Sequence, residues 1–75
     1  MNVFVDTSAL LAVLDKGDER YAAAKRIWED MLRGDNTLVC HNYVLVETSA
    51  VLTRRIGMEA VSVFEQDILP VLRTV

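Results

Sequence analysis

Two of the 11 acidic residues stand where a carboxylate has no evident solvent-facing task. Asp6 ends the strand-forming run Val3 to Val5 and leads directly into Thr7, Ser8 and the apolar stretch "ALLAVL". Glu47 falls in a helical pattern with Tyr43, Val44, Ala50 and Val51 at three- and four-residue steps, an apolar stripe with no Lys or Arg to neutralise it. An unpaired carboxylate is costly to take out of water. Asp6 therefore has two readings, a helix cap or a ligand for a metal ion. Glu47 reads as a stripe-edge residue, as the partner of a distant base, or as part of a site, since glutamate is rarely left unpaired in a core. If the helix carrying Glu47 crosses the carboxyl end of the first strand, where open α/β sheets bind ligands, the two acids face each other. Two hard oxygen donors without His or Cys neighbours suit Mg²⁺ or Mn²⁺ rather than zinc. The other acids, from Asp15 and Asp18 to Asp67, fall at helix ends or on polar faces and read as caps and solvated surface.

The elements that must position these acids follow from periodicity. The strand at Val3 to Val5 is followed by a helix through "ALLAVL", with Thr7 or Ser8 as cap, ending near Asp15 to Gly17. Asp18 is placed to cap a second helix whose apolar positions are Tyr21, Ala24, Ile27, Trp28, Met31 and Leu32, with Gly34 as its stop. Thr37 to Cys40 is a second strand. Asn42 is placed to cap a third helix from Tyr43 to about Ile56, stopped by Gly57, and a fourth helix runs from about Met58 to Asp67. After Pro70, "VLRTV" begins a third strand. Strands joined by helical crossovers give an α/β fold with a parallel sheet, about three strands and four helices in all. A parallel sheet needs cover on both faces, so the expectation is an incomplete domain.

Composition narrows the function classes. A chain of 75 residues is at most one small domain, and a domain of that size buries only about 60% of its unfolded surface. Its 52% apolar content is high for such a length, which points to an apolar face kept for a partner or for further chain. A net charge of −3 excludes a broad Lys/Arg surface for nucleic acid, although a metal site would still attract phosphate locally. The single cysteine, Cys40, reads as a small buried hydrophobe and suits a reducing compartment. No basic leader follows Met1 and no apolar run reaches membrane-spanning length, so a cytoplasmic protein with no membrane role is expected. His41 is unaccompanied and reads as a boundary residue.

"VFVDTSALLAVLDKGDERYAAA" followed by "NYVLVETSAVLTRRIG" resembles the PIN domain, most closely the VapC-type ribonuclease toxins of bacterial toxin–antitoxin pairs. The resemblance runs through the whole chain in order: strand-Asp-Thr-Ser, Asp-rich turn and long helix, strand, Glu-bearing helix. It implies a three-layer α/β fold with a parallel sheet flanked by helices. It also implies an endoribonuclease that cleaves single-stranded RNA with water activated by Mg²⁺ or Mn²⁺. By position, Asp6 matches the first metal-binding acid and Glu47 the second. Thr7 and Ser8 match hydroxyls beside the site, with Ser8 favoured as the hydrogen-bonding one. Arg54 and Arg55, at the end of the third helix, suit its dipole and are candidate RNA contacts. A cognate antitoxin and a homodimer are the implied partners.

The family's third acid, and often a fourth, lie beyond its third strand and have no counterpart here. Residues 1–75 are accordingly expected to be the N-terminal portion of a single PIN domain, inactive alone. The rival reading is a truncated or degenerate PIN fold that serves only as an interaction module. A phosphatase of the haloacid dehalogenase type also has an aspartate at the end of its first strand. Its chemistry calls for a second acid two residues on, where this chain has Ser8. Gly-rich phosphate loops are absent from the sequence.

Overall fold

In the computed structural model, which describes residues 1–75, three strands run parallel in the order β1 (Asn2–Phe4), β2 (Thr37–Cys40), β3 (Leu72–Thr74). Val3 stands opposite Leu38 and Val39 opposite Arg73. The ladder continues past the strand ends: the Val5 amide donates to the Val39 carbonyl at 2.8 Å, and the Asn42 amide to the Val75 carbonyl at 3.1 Å. Asp6 thus follows the last laddered residue of β1, at the carboxyl edge of the sheet.

Parallel neighbours need long crossovers, and both here are helical. The first is α1 (Thr7–Leu14) and α2 (Tyr21–Arg33); the second holds α3 (Asn42–Val51) and α4 (Met58–Val63). The expected α/β order of three strands and four helices is therefore present. The third and fourth helices differ from expectation in their last turns. α3 passes into a π turn at Leu52–Ile56, and α4 into another at Phe64–Ile68, followed by a 3₁₀ turn at Leu69–Val71. The first π turn closes with the Gly57 amide donating to the Leu52 carbonyl at 2.8 Å. Gly57 itself sits at φ 120°, a conformation open mainly to glycine. Where the coil widens, the Thr53 hydroxyl donates to the Ser49 carbonyl (2.9 Å) and Arg54 Nε to the Ala50 carbonyl (3.3 Å).

Two of the expected caps are replaced, and at α1 one of the two readings of Asp6 is borne out. Asp6, not Thr7 or Ser8, caps α1. Arg20 occupies the position before α2 with no side-chain cap bond, because the Asp18 carboxylate turns to Arg20 instead. Asn42 lies inside α3, and His41 precedes the helix without capping it.

One apolar cluster joins the layers: Leu10 and Leu14 of α1, Trp28 of α2, Leu38 and Cys40 of β2, and Leu52, Phe64 and Ile68 from the second crossover. Leu10, Leu52 and Cys40 are fully enclosed. The apolar stripe expected on α2 is only partly used. Trp28 is buried, whereas Ile27 is 59% and Leu32 45% exposed. No helix is long and apolar enough to cross a membrane.

Candidate active-site cleft

Asp6 is placed by two local features. The β1 ladder fixes its backbone in an extended conformation (φ −105°, ψ 174°), and its Oδ1 accepts a hydrogen bond from the Ala9 amide at 2.9 Å. That bond satisfies an orphan donor of the first helical turn and fixes the carboxylate's orientation. Oδ2 makes no hydrogen bond and the residue is exposed, so capping and ligand binding are compatible. The charge is felt at β2: burial pushes the Cys40 thiol pKa up, and Asp6 pushes it further in the same direction.

Glu47 is not in the apolar stripe that the sequence suggested. The face of α3 turned to the core carries fully buried Thr48, with Val44 and Leu45 half-buried, and Glu47 is exposed at its border. The Thr7 hydroxyl donates to Glu47 Oε1 at 2.5 Å, a short charge-assisted bond that ties the start of α1 to α3. Thr7 rather than the favoured Ser8 makes this contact, and Ser8 Oγ instead lies 3.5 Å from Arg20 Nη1, a long and weak contact.

Thr7, Ser8 and Glu47 line a cleft of about 510 Å³, with Arg55 on the α3 side and Asp18 and Arg20 on the α2 side. Asp18 accepts from Arg20 three times, at the backbone amide (2.8 Å), Nε (3.2 Å) and Nη2 (3.0 Å). The side-chain bond to Arg20, then the backbone bond, holds the Asp18 carboxyl below the usual aspartate range, and Asp18 in turn raises Arg20. Neither Asp18 nor Arg20 was a candidate by sequence. The signal available was an acid and a base two residues apart in "DER", of which only Asp18 has a sequence reading, as a cap.

The two arginines expected to touch RNA part company. Arg55 lines the cleft, while Arg54 lines a separate groove with Phe64 and Leu69. At about 100° per residue, eight α-helical steps from Glu47 would leave Arg55 about 80° further round the axis. The wider π turn rotates less per residue and returns Arg55 toward the Glu47 face.

The donor chemistry fits a hard divalent cation. Asp6 Oδ2 and Glu47 are carboxylate oxygens on elements joined through Thr7, and Mg²⁺ commonly takes one or two carboxylates, keeping water or phosphate at its other positions. No three His, Cys, Asp or Glu side chains converge into a fuller shell.

Residues 3–75 match the PIN domain family. Two proteins named 23S rRNA-specific endonuclease VapC20, from the CDC 1551 and H37Rv strains of Mycobacterium tuberculosis, are 40% identical over 58 residues. Those residues span 77% of this chain and 42% of each relative. The crystal structure of M. tuberculosis VapC20, a sarcin–ricin loop cleaving toxin, superposes with a TM-score of 0.76 at 33% identity, over 99% of this chain and 55% of that one. The chain thus covers under half the length of its sequence relatives. Sequence and fold agree across nearly its full extent, and the chain belongs to the PIN domain family.

Proposed function

We propose that this chain is the N-terminal portion of a toxin-type PIN endoribonuclease that hydrolyses single-stranded RNA with Mg²⁺ or Mn²⁺ held by Asp6 and Glu47. The observation that carries the reading is the 2.5 Å bond from Thr7 to Glu47, which couples the strand-end acid's own neighbour to the second acid. When bound there, the ion would supply hydroxide near neutral pH and offset the charge that builds on phosphate during in-line attack. The chain's residues do the positioning. Asp6 is aimed by its bond to Ala9, Glu47 is held through Oε1 so that Oε2 is free, and Arg55 offers a guanidinium to a substrate phosphate from the cleft wall.

The remaining acids of such a site belong to the part of the domain that this chain does not span, so residues 1–75 alone are expected to be nearly inactive. RNA-cleaving relatives and the retention of both acids favour an enzyme over an interaction module. A cognate antitoxin, a homodimer and a cytoplasmic setting complete the reading. Exposed apolar side chains such as Phe4 (73%) and Ile27 (59%) support partner contacts.

The test is cleavage of a single-stranded RNA by the full-length protein carrying Asp6→Asn or Glu47→Gln. Asparagine caps a helix about as well as aspartate, so the first variant keeps the fold while losing the charge. Mg²⁺-dependent cleavage should fall to background in both, while a cooperative thermal melt shows that each variant remains folded. Undiminished cleavage by either folded variant would remove that residue from the site.

A further inference from the structure

Arg20 is held in a way that a surface arginine has no need of. Asp18 grips it along one edge, Oδ1 on Nε and Oδ2 on Nη2, a two-point fork that fixes the guanidinium plane. The acid is tucked beneath, with its side chain 19% exposed, while the arginine side chain is 59% exposed. Arg20 lines the cleft, and its Nη1 lies outside the fork. Nη1 reaches Ser8 Oγ only at 3.5 Å, a contact too long to satisfy a charged donor that carries two N–H groups. Ser8 adjoins Thr7, the residue that holds Glu47.

The charge balance of the cleft gives Nη1 a task. Asp15, Asp18 and Glu47 line it against Arg20 and Arg55, so without a cation a polyanion entering it meets net negative charge. The Asp15 carboxylate is turned to the Gly17 amide (2.9 Å) and Asp18 is spent on Arg20, which leaves the two guanidinium groups of the lining as the presented cationic donors. Arginine presents a planar fork that suits phosphate oxygens.

We propose that Arg20, aimed by Asp18 as its positioning residue, binds a phosphate of the RNA strand next to the one at Asp6 and Glu47, in the cleft that Arg55 also lines. This rests on the nuclease reading above and adds a substrate contact to it.

The experiment measures binding of a fluorescently labelled single-stranded RNA oligonucleotide to the full-length protein in an Asp6→Asn background, over a range of salt concentrations. Arg20→Ala should weaken binding about fivefold and flatten the log–log salt dependence by about 0.7, the share of one phosphate contact on a single strand. Asp18→Asn keeps the cation but loosens its anchor, so affinity should fall while the salt slope is retained. With Asp6 intact, Arg20→Ala should raise KM and leave kcat within about twofold, the pattern of a uniform binding contact. Arg20→Gln, closer in size, guards against a folding artefact, and thermal melts of each variant check it. Unchanged affinity and slope for folded Arg20→Ala, in a protein whose wild type cleaves RNA, would overturn the proposal. Arg20-dependent RNA binding by a wild type that does not cleave would support the contact and sink the nuclease reading instead.

Discussion

Arg55 and Thr7, the residue that follows Asp6, reach the same cleft by opposite routes. Thr7 comes from β1–α1, where each residue obeys a local rule: a laddered strand, a carboxylate cap at 2.9 Å, then a regular helix. Arg55 comes from the stretch between α3 and α4, where a π turn and a glycine at φ 120° depart from regular geometry. The difference lies in what holds each region in shape. Hydrogen bonds set the first, through the ladder to β2, the Asp6 cap and the Thr7–Glu47 contact. The second depends on tertiary packing, because a π turn has no propensity of its own to favour it over the α-helix.

If packing holds the π turn, its core residue should matter as much as that of α1. Leu10 and Leu52 are both fully buried, one in each region. Leu10→Ala and Leu52→Ala should each cost about 3 kcal/mol, from lost transfer energy and the cavity left behind. That is a large share of what a small domain has. Urea denaturation of the full-length protein measures both. A Leu52→Ala cost below about 1 kcal/mol would mean that the wide turn is loosely held and that Arg55 is not fixed by it.

Gly57 tests the same contrast at the backbone. Nothing lies within 4 Å of where a Cβ would sit, so Gly57→Ala meets no clash, and its cost is conformational alone. At φ 120° that cost should be about 2 kcal/mol, with the end of the π turn shifting to relieve it. If the shift moves Arg55 off the cleft, RNA affinity falls with stability, and the two losses should be separable by assaying well below the melting temperature. An alanine variant of unchanged stability would show that this turn tolerates ordinary geometry.

What was legible in the sequence divides along the same line. β2 was readable to the residue because Thr37 to Cys40 is a β-rich run bounded by turn residues, and Gly57 announced the end of its helix. The acid at the end of β1 was readable because a charge there breaks the apolar pattern. The direction of α3 was not. "NYVLVETSAV" is apolar on nearly every side, so periodicity could not say which face turns inward, and Glu47 was assigned to the stripe that Thr48 in fact leads. Nor could the change from α to π rotation at Leu52–Ile56 be read from composition, so Arg54 and Arg55 stood as equals until packing separated them.

Thr48 supplies the smallest effect and the only stabilising one. It is fully buried on α3, beside Glu47 in sequence, and its hydroxyl has no hydrogen-bond partner. Burying an unpaired hydroxyl costs free energy that an apolar group of the same shape does not. Valine is that group, with the same branching at Cβ and a similar helix propensity. Thr48→Val should therefore stabilise the protein by about 1 kcal/mol, read as a rise in melting temperature. Because the change lies on the inward face, the Thr7–Glu47 bond and RNA cleavage should be unaffected. A loss of stability in Thr48→Val would mean that the hydroxyl has a partner, such as an enclosed water, and that this region too is held by a local polar contact, as β1–α1 is.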